Sequence, residues 1–268
     1  MRKNILAGFV IAAVAGIPQM PAHAVVIGRA VSSADFNSTY TQDDPDYTIP
    51  GDMFGIRSTA SPGSAGLPFA IEDTSPDFGD SAGIILNDSN NDGGIVDTDT
   101  FFGVVDTVNG SGNGTNVARW MFDIAGQTLE GISIDFAAMG DFESSNDLFN
   151  LTWEIDGNGA NSLFSSSVDE SGSLTYNSLQ PGGFSTTLSD PLLMNGVTLN
   201  NVFQTLTSLD VAGQTGSVLT IEIAASADGG SEAFALRNIE VNAVPEPGTM
   251  AGLFSLSLMG LAVRRRVR

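Results

Sequence analysis

Apolar residues recur at every second position through much of the second half of this 268-residue chain. Ile132, Ile134 and Phe136 alternate with Ser133 and Asp135. Phe149, Leu151, Trp153 and Ile155 alternate with Asn150, Thr152 and Glu154, and Leu219, Ile221 and Ile223 with Thr220 and Glu222. Successive side chains of a strand point to opposite faces, so a period of two with one polar face marks an antiparallel sheet. Turn sequences separate these runs: Asp156-Gly157-Asn158-Gly159, Pro181-Gly182-Gly183 and Asp228-Gly229-Gly230. Long helical periodicity is absent. The pattern predicts an all-β fold, an antiparallel β-sandwich of jelly-roll type.

Two details refine that expectation. Trp153 shares a face with Phe149 and Leu151, which predicts core packing rather than a sugar-stacking platform; Trp120, in Ala118-Arg119-Trp120-Met121-Phe122, is open between the two. In the last strand, Phe234 and Leu236 share one parity while Ile239 and Val241 fall on the other. One extra residue near Arg237-Asn238, a β-bulge, reconciles them. Residues 25–80 are less regular, with loop sequences at Asp43-Asp44-Pro45-Asp46 and Ser61-Pro62-Gly63-Ser64-Ala65-Gly66. They read as early edge strands and long connections of the same domain.

Both ends depart from the alternating pattern. Arg2 and Lys3 precede an apolar run over residues 5–17, and Ala22-His23-Ala24 is a small-x-small cleavage site. This predicts a secretory signal peptide over residues 1–24. At the other end stand Val244-Pro245-Glu246-Pro247-Gly248, an apolar run over residues 249–263, and Arg264, Arg265, Arg266 and Arg268. Counted from Gly248, the run predicts a transmembrane helix of roughly 24 Å, slightly short of the usual span of about 20 residues. The arginine stems extend it by snorkelling. The positive-inside rule places the arginines in the cytoplasm and the rest of the chain outside. Pro245 and Pro247 keep the approach extended and open to a processing enzyme.

This order of motif, apolar segment and basic cluster resembles the PEP-CTERM sorting signal of exopolysaccharide-producing Gram-negative bacteria. The resemblance covers residues 244–268. It implies processing by exosortase at or near the Pro-Glu-Pro motif, after passage through the secretion machinery. It also implies a transient inner-membrane anchor, then residence in the cell envelope, cell surface or extracellular matrix, with exopolysaccharide as a partner. Residues 25–243 are then the ectodomain.

Removing both ends changes the composition. His23 is the only histidine, Lys3 the only lysine, and cysteine is absent. Residues 25–244 retain Arg29, Arg57, Arg119 and Arg237 against 30 acids, a net charge of −26. Such a field repels nucleic acid and attracts divalent cations. Ser-His-Asp triads, cysteine nucleophiles, lysine Schiff bases and histidine-based zinc sites are excluded for lack of the residues. Carboxylate chemistry of the glycosidase type survives.

The acids suggest one explicit constellation, residues 88–99. Asp88, Asn90 and Asp92 take positions 1, 3 and 5 of a calcium loop, Gly93 the sharp turn, Gly94 a carbonyl position and Asp99 position 12. Alternating hard oxygens on a tight turn suit Ca²⁺. Aspartate in place of the usual glutamate at position 12 weakens the set, and an Asx-rich turn is the plain alternative. Asp141, Glu143 and Asp147 form a second, weaker cluster.

The C-terminal half is also similar to jelly-roll modules of secreted bacterial proteins. The similarity rests on Gly140-Asp141-Phe142-Glu143 with Asp147, on Trp153-Glu154-Ile155-Asp156-Gly157, and on the final Phe-Ala-Leu-Arg-Asn-Ile-Glu-Val strand. It implies calcium or carbohydrate binding, but Arg237 stands where that pattern carries an aspartate. The expected function is a non-enzymatic surface or matrix protein associated with exopolysaccharide or biofilm. The alternatives are a calcium-dependent carbohydrate-binding module and a carboxylate-based glycan hydrolase or lyase.

Overall fold

The computed structural model describes residues 23–43, 53–58, 100–108, 114–177, 185–229 and 232–245. Regular structure among the described residues is strand throughout. In chain order the strands are β1 (Val25–Ala30), β2 (Ser38–Gln42), β3 (Met53–Ser58), β4 (Thr100–Val105), β5 (Asn116–Asp123), β6 (Gln127–Met139), β7 (Leu148–Ile155) and β8 (Asn161–Phe164). They continue as β9 (Ser166–Val168), β10 (Ser173–Asn177), β11 (Ser185–Ser189), β12 (Leu192–Met194), β13 (Val197–Thr198), β14 (Gln204–Ser208), β15 (Val218–Ser226) and β16 (Ala233–Pro245).

Two antiparallel sheets face each other. One runs β14-β6-β16-β4-β3, with β1 beside the distal part of β16; the other runs β2-β5-β15-β7-β8. The chain crosses from one sheet to the other between β5 and β6, between β6 and β7, and again on either side of β15. This alternation winds the sandwich around one core and makes strands distant in sequence into neighbours. The β-sandwich expectation holds.

The inward faces are those the alternation predicted. Ile132, Ile134 and Phe136 of β6, Phe149 and Leu151 of β7, and Leu219, Ile221 and Ile223 of β15 are fully buried in one core. Phe149 stacks on Phe234 at 4.6 Å between centroids, and Phe136 meets Phe164 edge-on at 5.1 Å. Trp153 is 8% exposed and packs in the same core, as its position on β7 predicted. Trp120, open in the sequence, is buried against Phe102 at 5.2 Å and Tyr40 at 5.6 Å.

The parity change in β16 is a bulge. Arg237 pairs with Asp135 and Glu240 with Ser133, so Asn238 and Ile239 together oppose Ile134. Asn238 adopts a φ of 50° and donates its N–H to the Val31 carbonyl at 2.9 Å. The extra residue turns Ile239, Val241 and Ala243 into the core behind Phe234 and Leu236.

The outer face of this sheet is not uniformly polar. Phe101, Val105, Ala137, Met139, Ala233 and Ala235 form a second buried cluster there. The β10–β11 ribbon covers it with Leu174, Tyr176 and Leu188, joined by Phe203. This is why Ala137, Ala138 and Met139 are buried in succession and the alternation of β6 stops at its end.

Among the described residues no helix is long and apolar enough to cross a membrane; residues 249–263 lie outside them. Residues 1–22 of the expected signal peptide lie outside them as well. His23 and Ala24 are exposed, and Val25 opens β1.

Candidate functional site

The winding brings two loops together at one end of the sandwich. One leaves β6 and enters β7 through Asp141, Phe142, Glu143 and Asp147; the other leaves β15 and enters β16 through Asp228, Gly229 and Glu232. They adjoin because β6 pairs with β16, and β7 with β15.

The first loop closes on itself. The N–H of Asp147 donates to the Glu143 carbonyl at 2.8 Å, and the N–H of Glu143 donates to Asp147 Oδ2 at 2.7 Å. The second loop is tied down by Thr107, fully buried, whose N–H donates to the Ala227 carbonyl at 2.7 Å and whose hydroxyl accepts the Ala227 N–H at 3.0 Å. Bonds that join the loops include Asp228 N–H to Asp147 Oδ1 at 3.3 Å, Asn146 Nδ2 to Asp228 Oδ2 at 2.5 Å, and a side-chain bond between Asp147 and Glu232. The N–H of Gly229 donates to Glu232 Oε2 at 2.8 Å. A Cβ at Gly229 would overlap that carboxylate, so any larger residue would have to displace the Glu232 side chain.

The result is a four-carboxylate cluster. One oxygen from each of Glu143, Asp147, Asp228 and Glu232 lies within 4.8 Å of the others. Asp147 is 6% exposed and Glu232 3%; Glu143 and Asp228 face solvent. The arginines with described side chains are engaged elsewhere. Arg29 pairs with Glu240, Arg119 with Glu222 and Asp43, and Arg237 lies 3.9 Å from Asp135 and over the Phe203 ring.

Four like charges in that space are costly. Two carboxylates 4.8 Å apart repel by roughly 3 kcal/mol at an effective dielectric near 20. Burial, and then the charges of Asp147 and Glu143, push the Glu232 carboxyl up to about 9. Asp147 is raised as well, its burial outweighing the backbone N–H bonds it accepts from Glu143 and Asp228. Burial followed by its acidic neighbours raises Glu143. The crowding favours a proton on Glu232, or a cation that offers the four oxygens a common partner. It is an acidic cluster able to hold a metal ion through hard oxygen donors.

The acidic field extends beyond these four. Asp190 is raised by burial and then by Asp141, Glu170 and Asp169. Glu170 accepts the Ser144 N–H at 3.1 Å, which links the two groups of acids.

Of the residues singled out in sequence, Glu143 and Asp147 belong to the cluster. Asp141 does not; it accepts the Ser189 hydroxyl at 2.7 Å instead. Asp228 and Glu232 were legible only as a turn and as the head of a strand, because nothing local places them beside Glu143. The calcium-loop residues Asp88, Asn90, Asp92, Gly94 and Asp99 lie outside the described residues. Of the sorting motif, Val244 and Pro245 are described. They end β16, opposite Thr128 and Gln127 of β6. Glu246, Pro247, Gly248 and the arginines Arg264, Arg265, Arg266 and Arg268 lie outside.

Residues 243–266 match the PEP-CTERM protein-sorting motif. No curated protein matches the chain. Solved structures similar to it include TmCBM61 in complex with beta-1,4-galactotriose, at 7% identity and a TM-score of 0.30, covering 76% of this chain and 86% of that one. Another is the family 11 carbohydrate-binding module from Clostridium thermocellum in complex with a beta-1,3-1,4-mixed-linked tetrasaccharide, at 9% identity and a TM-score of 0.29, covering 83% of this chain and 98% of that one. A third is the enzymatically active domain of the bacteriophage CBA120 tailspike protein 4, at 12% identity and a TM-score of 0.31, covering 78% of this chain and 19% of that one. The sorting motif implies an exported chain with a membrane-anchoring region before cleavage, processed by exosortase.

Proposed function

We propose that this protein is a non-enzymatic component of the cell surface or extracellular matrix, sorted by its tail and associated with exopolysaccharide or biofilm. On this reading its sandwich carries a Ca²⁺ ion on Glu143, Asp147, Asp228 and Glu232. The observation that carries the sorting half is the motif over residues 243–266. The observation that carries the calcium half is the four-carboxylate cluster, which has no arginine partner among the described residues.

Calcium suits the cluster better than other common ions. Ca²⁺–oxygen distances near 2.4 Å put opposite ligands about 4.8 Å apart, whereas Mg²⁺ draws them to about 4.1 Å. All four oxygens lie within 4.8 Å of one another, close enough to reach one ion, and four protein carboxylates suit Ca²⁺, whereas Mg²⁺ keeps several waters and takes one or two. Zinc is disfavoured by the all-carboxylate donor set. A glycosidase needs two carboxyls about 5 Å or more apart across a groove that admits the sugar. Asp147 and Glu232 are both buried and hydrogen-bond to each other, which favours a structural role.

An ion here would fasten the loop after β6 to the loop before β16 and order the acidic end. Anionic or hydroxyl-rich polymer could then meet the ion's remaining coordination positions. The test is co-sedimentation of residues 25–245 with the producing organism's own exopolysaccharide, with Ca²⁺ and with chelator. Calcium-dependent retention without shortening of the polymer is expected. Equal retention in chelator, or none in either condition, contradicts the calcium-mediated association; shortening of the polymer contradicts the non-enzymatic reading.

A further inference from the structure

The sorting motif does not begin beyond the folded domain; it begins inside it. β16 runs to Pro245, with Ala243 opposite Leu129, Val244 opposite Thr128 and Pro245 opposite Gln127. Ala243 is fully buried and belongs to the main core. On its other side Ala243 pairs with Val25, the residue left first by the expected cut after Ala24. Both ends of the mature chain are thus held side by side in one sheet.

This leaves little chain for an enzyme to grip. Between Pro245 and the apolar segment that starts at Thr249 stand Glu246, Pro247 and Gly248. Three residues reach at most about 11 Å, however they run. A cutting enzyme must surround extended backbone on both sides of the bond it breaks. On the ectodomain side that backbone is already paired, in a strand flanked by β6 and β1.

We propose that the last rungs of β16, Ala243 to Pro245, gate the processing of the tail. The enzyme acts on chains in which these rungs have come away from β6 and β1, and the rungs close again after the cut. The cut passes the acyl group of the ectodomain to water or to an acceptor amine, and the tail leaves with a new amino terminus. Strand ends open at far lower free energy than whole domains, so fraying supplies the open form without unfolding the sandwich. This proposal rests on the sorting reading above.

Two variants of the full chain, followed by pulse-labelling in the producing cells, test it. The first inserts a Gly-Ser hexapeptide and a second Ala-Val-Pro between Pro245 and Glu246, so that the native rungs stay paired while a free copy restores the Pro-Glu-Pro motif. The second combines Val244→Cys with Thr128→Cys. Directly opposed residues have Cα atoms about 4.5–5.5 Å apart, within disulfide reach, and the chain has no other cysteine. Tail removal is expected to speed up at least about threefold in the spacer variant. It is expected to slow at least about tenfold in the oxidised cysteine pair relative to the same variant under reductant. If the wild-type tail is removed but neither variant changes the rate in these directions, the gate is wrong and the sorting reading stands. If the wild-type tail is never removed, both fall.

Discussion

Glu232 sits 3% exposed among three other carboxylates, with its own carboxyl pushed up to about 9. The sign of the resulting pH dependence follows from where the proton is held. In the folded chain Glu232 keeps its proton up to about pH 9, while in the unfolded chain it loses it near the ordinary glutamate value of 4.5. The folded state therefore binds more protons than the unfolded state across that window, and stability falls as pH rises through it. In chelator, the melting temperature is expected to decline between about pH 5 and pH 9, and Ca²⁺ is expected to flatten the decline by taking the proton's place. Glu232→Gln, a neutral isostere, should remove most of the pH dependence and weaken Ca²⁺ at least about tenfold. A Gln variant that melts and binds Ca²⁺ like the wild type would clear Glu232 of both roles. Glu143 and Asp147 were legible in the sequence as neighbouring acids in one loop. Asp228 and Glu232, some eighty residues on, were not, because burial and the pairing of β6 with β16 create their pKa shifts and their proximity.

At the scale of single elements, β16 was the most legible strand and also the most informative. Its change of parity announced the bulge, because only an extra residue lets Phe234, Leu236, Ile239 and Val241 all face one core. Asn238 supplies it, with a φ of 50° and its Nδ2 donating to Asp135 Oδ2 at 2.8 Å. Asn238→Gly keeps the backbone conformation and loses only that bond, at a cost of about 1 kcal/mol. Asn238→Val forces a β-branched residue into the left-handed region as well and should cost about 2–3 kcal/mol. Urea unfolding distinguishes them; equal stability of the two variants would mean that the bulge does not depend on this geometry. The β10–β11 ribbon was not legible as a cover. Leu174, Tyr176 and Leu188 look like an ordinary small strand pair, and only the apolar outer face they meet gives them their role. The inner faces of β6, β7 and β15 could be read from alternation alone because each has one core side; the end of β6, covered on both sides, could not.

The whole molecule is polar along β16. Glu232 and the acidic loops stand before Ala233, and the sorting motif leaves from Pro245, about 40 Å further along the strand. A chain anchored by its tail would thus hold the acidic cluster at the other end of β16 from its anchor. The composition made the negative charge legible, but not the gathering of Glu143, Asp147, Asp228 and Glu232, which depends on which loops the winding collects. The sequence places the end of the ectodomain at residue 243, whereas the last strand includes Val244 and Pro245.

That boundary defines the most direct test of the sorting claim. A chain ending at Pro245 keeps every rung of β16, so any change in its destination reports the lost tail rather than a damaged sandwich. The measurement is fractionation of producing cells that express either the full chain or the chain ending at Pro245. The full chain is expected in the envelope or matrix fraction with its tail removed, and the shortened chain in the soluble exported fraction. Identical distribution of the two chains would contradict the account.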